Sequence, residues 1–202
     1  LVESFAYDRI HYINLPVRAV EQAGPNSVGI ALAKTEYLAF LNHDDIWLKD
    51  HLEYGLKILN ERGAEFFLGK SAFAFKSIEF NQGQRKPLFD SLNIDDRHPK
   101  QSIASSISPS FLFEPTSAWL LRTETAKKVG WWKGRDQLVG SEPILDWVRR
   151  AWRMDARFVF GTQLSVLAFR TQYQPEYFTG NGAYHHYSQE HAHTYHILES
   201  MS

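Results

Sequence analysis

The chain has no cysteine among its 202 residues. Disulfide staples and thiolate metal sites are therefore excluded, and the redox compartment is left open. Neither sign of charge dominates: 22 lysines and arginines face 23 aspartates and glutamates, for a formal net charge of -1. Nucleic acid is accordingly not expected as the main partner, because phosphate backbones select strongly basic surfaces. No apolar run approaches the roughly 18 residues needed to cross a bilayer, so no transmembrane segment is expected. No stretch reads as a signal peptide, and no internal repeat is present. We expect a cytoplasmic chain with at most a peripheral place at a membrane. What is present is ordinary for a globular protein, with 44% hydrophobic and 22% charged residues. The length suits one large domain with a sizeable core.

The most informative stretch is Glu36-Tyr37-Leu38-Ala39-Phe40-Leu41-Asn42-His43-Asp44-Asp45-Ile46-Trp47. An apolar run long enough for one buried strand ends in two adjacent carboxylates, and a helix-like segment with Trp47, Leu48, His51 and Leu52 follows. Ligands of α/β folds collect at the carboxyl ends of such strands. Two acids at that point can hold a divalent cation through oxygen, and the cation can hold a diphosphate. Adjacent aspartates after a strand also cap helices and shape turns, so the local pattern alone leaves both readings open.

Elsewhere, Ile10 to Leu15 reads as a short strand ended by Pro16, and Gly24-Pro25 as a turn. Asn26 or Ser27 can cap a helix running to about Lys34, ahead of a strand from Tyr37 to Leu41. Leu48 to Arg62 reads as an amphipathic helix with Leu52, Leu56 and Leu59 on one face, stopped by Gly63. Glu65 to Lys76 and Phe158 to Phe169 have strand character. Asn81 to Ser110 is a long polar stretch, of the kind that more often serves function than connection.

Three segments in order give the pattern a wider context. They are Asn26-Ser27-Val28-Gly29-Ile30-Ala31-Leu32-Ala33-Lys34-Thr35-Glu36-Tyr37 with its strand and acids; Pro115-Thr116-Ser117-Ala118-Trp119-Leu120-Leu121-Arg122 through Lys128-Val129-Gly130; and Ser141-Glu142-Pro143-Ile144-Leu145-Asp146-Trp147-Val148-Arg149-Arg150. Together they resemble family 2 glycosyltransferases of the GT-A fold, over roughly residues 1 to 170. The resemblance implies an α/β, GT-A-like (Rossmann-related) domain with a mainly parallel sheet and helices on both faces. It implies a single domain over 1–202, N-terminally incomplete because the family's first nucleotide-binding strand pattern is missing, with an aromatic and histidine-rich tail over 171–202.

The same resemblance implies metal-assisted, inverting transfer of a sugar from a nucleotide-sugar donor, a UDP-sugar, to a carbohydrate or other hydroxyl acceptor. Mn2+ or Mg2+ would neutralise the leaving diphosphate. Asp44 and Asp45 match the last two acids of the family's metal-binding turn, with Asp44 the first choice as ligand. Asn42 stands where an acid is usual and His43 fills the variable place; Asn26, Asn42, His43 and Asp44 are the donor-side candidates. The family's arginine facing the diphosphate is absent, Pro25-Asn26-Ser27 taking its place.

An inverting transfer needs a base for the acceptor hydroxyl, and the resemblance places it at Glu142, the first acid of the family's paired-acid motif, with Asp146 the second candidate one helical turn later. Pro143 replaces the family's second acid, and Glu142 could equally serve only to start a helix. Some GT-A enzymes complete the metal site with a C-terminal histidine, so the resemblance makes His185 and His186, in a tail that also holds His191, His193 and His196, candidate ligands, and imidazole suits Mn2+. Trp131 and Trp132 are candidates to stack on the acceptor sugar, or else core residues. Two alternatives stand beside the transferase: a non-catalytic nucleotide- or metal-binding relic of the same fold, and a carbohydrate-binding module.

Overall fold

Two long strands organise the molecule: β3 (Phe66–Lys76) and β6 (Phe158–Thr171) run parallel from the Phe66–Phe158 pairing to Lys76–Thr171. The structure, a computed structural model, describes residues 10–16, 22–43, 45–76, 91–94 and 114–171. Ahead of β3 come α1 (Ala23–Leu32), β1 (Tyr37–Ala39), β2 (Asp45–Trp47) and α2 (His51–Arg62). After it come β4 (Ser91–Ile94), a 3-10 turn (Thr116–Ala118), β5 (Trp119–Arg122), α3 (Thr123–Val129), a second 3-10 turn (Arg135–Gln137) and α4 (Pro143–Arg153). The strand order is β1-β5-β3-β6-β2, with β4 paired to the far half of β3.

The α/β, GT-A-like architecture expected from the sequence is present, but the sheet is mixed. Among the described residues only β3–β6 is parallel, and the β1–β5, β3–β5, β3–β4 and β2–β6 pairs are all antiparallel. The expectation of a mainly parallel sheet fails for a physical reason. Continuous apolar runs report burial on both faces, which helices can supply whatever the strand direction.

Burial on both faces is what the packing shows, with the period of two that a strand imposes. Leu38, Phe66, Leu68, Trp119 and Leu121 face one cluster with Ala23 and Ile30 of α1, Ala126 and Val129 of α3, and Trp147, Val148 and Ala151 of α4. The alternate residues Tyr37, Ala39, Phe67 and Leu120 face Leu59, Tyr54 and Leu56 of α2. Helix α2 lies very close to the sheet because Gly55 lacks a side chain: a Cβ there would stand 2.9 Å from Leu120 Cδ2 and 3.0 Å from Phe67 Cδ1. Its buried face is His51, Gly55 and Leu59, while Leu52, expected inside, is 40% exposed. Gly63 ends the helix in the left-handed region at φ 55°, as expected of a glycine after a helix.

Several boundaries differ from the sequence reading: β1 stops at Ala39 and not Leu41, α1 stops at Leu32, and three further differences bear on the site. Residues 10–16 form no strand. Helix α1 begins at Ala23, so Gly24-Pro25 lies in its first turn and not in a loop; proline is tolerated there because first-turn N–H groups have no partner within the helix. Asp45-Ile46-Trp47 forms the edge strand β2 before α2 starts, so Trp47 and Leu48 precede the helix. Among the described residues, no helix is long and apolar enough to cross a membrane.

Candidate functional site

Beyond the end of β1 the chain passes buried Phe40 and exposed Leu41 and reaches Asn42, which is tied on every side. Its backbone N–H donates to Ser117 Oγ at 2.9 Å. Its Oδ1 accepts from Gln22 Nε2 at 3.1 Å and Thr116 Oγ1 at 3.0 Å, and its Nδ2 donates to Asp45 Oδ2 at 2.9 Å. This arrangement fixes which way the amide points, because turning it over would set its carbonyl against the Asp45 carboxylate.

Asp45 closes the turn by donating its backbone N–H to Asn42 O at 3.3 Å, and its position is then fixed by β2 pairing with Ala168 of β6. A second donor meets the same oxygen: Ser117 Oγ lies 2.5 Å from Asp45 Oδ2. Ser117 also accepts the Trp47 indole N–H on its carbonyl at 2.6 Å. The Thr116–Ala118 turn therefore grips both ends of the acidic loop. By sequence Thr116 and Ser117 appear only as part of the second family-like segment, and nothing local to either segment signals a contact between residues 72 apart.

Two more polar groups are buried beside this turn. The carboxylate of Glu114, itself 3% exposed, accepts a short hydrogen bond from Ser71 Oγ. His51, 1% exposed, stacks on Trp47 at 5.2 Å between ring centroids, and its Nδ1 is 3.0 Å from Ser165 Oγ. Burial lowers the His51 pKa to about 4, so the ring is neutral near pH 7. Its Nε2 is buried and has no hydrogen-bond partner.

The remaining candidates fall in separate places. Asn26 sits on α1 four residues after Gln22, hence on the same side of the helix, and its buried Nδ2 has no hydrogen-bond partner. It lies inside the helix, whereas the sequence suggested a cap. A Cβ added at Gly29 would meet nothing within 4 Å, so close helix packing does not require glycine there. His43 is exposed in the turn. Asp44, His185 and His186 lie outside the described residues.

Glu142 is the residue before α4 and Pro143 starts the helix, as the sequence indicated. The Glu142 side chain does not cap the helix but pairs with Arg135 at 2.7 Å, both partners being well exposed. One turn on, Asp146 accepts from Arg150 Nε at 2.8 Å. The same guanidinium donates to Val129 O and Trp131 O, each at 2.7 Å. Asp146 thus anchors the arginine that shapes the turn after α3.

That turn separates the two tryptophans. Trp131 is 71% exposed, whereas Trp132 is 5% exposed. Trp132 packs against Trp147 at 5.5 Å and Trp119 at 5.9 Å, and its burial leaves no exposed ring face for a sugar to stack on. The acceptor assignment of Trp132 is corrected to a core role; large aromatic burial explains its place.

Among the described residues no group of three or more His, Asp or Glu side chains could hold a metal ion. The described residues by themselves therefore form no closed protein cage for a cation.

Comparison with known proteins agrees with the topology. The chain resembles solved structures of S. aureus TarS: TarS 1-349 at TM-score 0.50 and 15% identity, covering 77% of this chain and 42% of that one. TarS 1-349 in complex with UDP-GlcNAc gives 0.48 and 15%, covering 93% and 48%. The complex with UDP gives 0.45 and 15%, covering 74% and 40%. The chain thus spans less than half the length of these structures. No curated protein sequence matches it. The profile described as glycosyl transferase family 2 matches residues 1–130, which include the Asn42–Asp45 turn and Ser117 but stop short of α4. The chain belongs to glycosyl transferase family 2.

Proposed function

We propose that this chain takes part in sugar transfer from a nucleotide-sugar donor, a UDP-sugar, to a hydroxyl acceptor, and that the turn at Asn42–Asp45 meets the donor diphosphate. The observation that carries the reading is the Asp45 carboxylate, held by Asn42 and Ser117 at the exit of β1 in a family 2 glycosyltransferase domain. Asp44 and Asp45 would hold Mn2+ or Mg2+, which when bound supplies positive charge against the leaving diphosphate. Asn42 serves as the residue that orients Asp45, since its amide is already engaged by Gln22, Thr116 and Asp45. Asn26 is a further donor-side candidate on the same helix side as Gln22. His185 and His186 remain candidate ligands on the chemistry of imidazole alone.

On the acceptor side, Glu142 is the proposed base and Trp131 the exposed aromatic that a sugar ring could meet. A base must accept a proton from the acceptor hydroxyl within hydrogen-bond reach, so Glu142 would have to leave Arg135 or share it. Inversion of the anomeric centre follows from one displacement with a base of this kind and no covalent intermediate.

The Glu142–Arg135 pair and the uncharged Asn42 also favour a second reading, a domain that binds nucleotide without transferring sugar. Incubation with a panel of UDP-sugars, with and without carbohydrate acceptors, separates the two. Release of UDP that depends on Mn2+ or Mg2+ supports the transferase. Binding of UDP with no release from any donor supports the relic.

A further inference from the structure

We infer that Ser117 is a positioning residue of the donor site, setting the Asp45 carboxylate in place before any ligand arrives. The inference rests on Asp45 being an acid that meets the donor diphosphate or its cation, as proposed above.

A single hydrogen sets the direction of the contact. The Ser117 hydroxyl has one O–H to donate and lone pairs to accept. The Asn42 backbone N–H, 2.9 Å away, can only donate to it. The hydroxyl hydrogen is therefore available to Asp45 Oδ2 at 2.5 Å, an acceptor-only partner when ionised. Three further features fix the serine itself. Its carbonyl receives Trp47 Nε1 at 2.6 Å, Ala118 N–H closes the turn onto Pro115 O at 2.9 Å, and the residue is 0% exposed.

Thr116 completes the device from the neighbouring position. By donating to Asn42 Oδ1 it helps hold the amide plane, which keeps Nδ2 facing the same Asp45 oxygen. Two donors thus converge on Asp45 Oδ2 from parts of the chain 3 and 72 residues away. A carboxylate held this way has already lost the rotamer freedom that a ligand would otherwise have to restrain, which is how supporting contacts sharpen a binding site. Ser117 itself touches no ligand; it acts through Asp45.

A double-mutant cycle on the full chain tests this, with titration of UDP in Mn2+ as the readout and the melting temperature recorded for each variant. Ser117→Ala should weaken UDP binding about tenfold, in line with a hydrogen bond to a charged group. In an Asp45→Asn background the same change should cost less than about twofold, because the partner it serves is already altered. Ser117→Thr keeps the hydroxyl and should recover most of the affinity that alanine loses. Equal losses in the two backgrounds, or no loss in the first, would overturn the inference while leaving the donor-site reading intact. A wild-type chain that binds no UDP would overturn both.

Discussion

The Ser117 hydroxyl lies 2.5 Å from the Asp45 carboxylate, joining the turn ahead of β5 to the loop between β1 and β2. Because that loop ends in β2, which pairs with β6 across the sheet, the acid is held by elements from distant parts of the chain.

Asn42→Asp should destabilise the metal-free chain. It would place a second carboxylate where Nδ2 now donates to Asp45 at 2.9 Å, replacing an attraction with like charge. The expected loss is about 1–3 kcal/mol. Melting curves with EDTA and with Mn2+ check this: the deficit should shrink in Mn2+, and an unchanged deficit would argue against a cation at this turn.

His51 makes stability sensitive to acid. Its folded pKa of about 4 lies below the ordinary 6.5, so the unfolded chain takes up its proton first as pH falls. This contribution to stability is complete above about pH 6.5 and is lost as pH drops toward about 4. The loss should be about 3 kcal/mol. Denaturant titrations between these limits should show a shallower pH slope for His51→Gln than for wild type.

The adjacent tryptophans should behave oppositely. Trp132→Ala removes a buried ring packed against both Trp119 and Trp147, which also touch each other, and should cost about 3–5 kcal/mol. Trp131→Ala should change stability by less than about 0.5 kcal/mol and, in the proposed role, raise the acceptor KM. Chemical denaturation and acceptor kinetics on the two variants give the comparison.

Glu142 and Asp146 are separable in the same way. Glu142→Gln breaks an exposed pair with Arg135, which should cost at most about 1 kcal/mol, and should stop turnover while sparing UDP binding. Asp146→Ala frees the arginine that holds Val129 O and Trp131 O, and should lower the melting temperature more than Glu142→Gln does. Intact turnover in Glu142→Gln would remove it as the base.

Much of this architecture is legible in the sequence because long signals are robust. The aromatic run at Phe66 and the apolar run at Phe158 form β3 and β6, and Pro143 after Glu142 starts α4. The pairing of Asn42 with Asp45 is within reach of sequence reading, the two being three residues apart. Ser117 is not, because a contact over 72 residues leaves no periodic trace. Strand direction is also hidden, since Phe66 and Leu121 would be equally buried in either orientation. Nor can the sequence tell Trp131 from Trp132; that depends on a turn set by Arg150, Trp147 and Ser27 holding the backbone at 129–132.

The central claim is that the Asp45 turn meets a nucleoside diphosphate. Calorimetric titration of UDP into the full chain and into Asp45→Ala, each with Mn2+ and then with EDTA, tests it most directly. We predict heat of binding for wild type in Mn2+, sharply reduced by EDTA and by Asp45→Ala. Equal UDP binding by both chains in Mn2+ would contradict it.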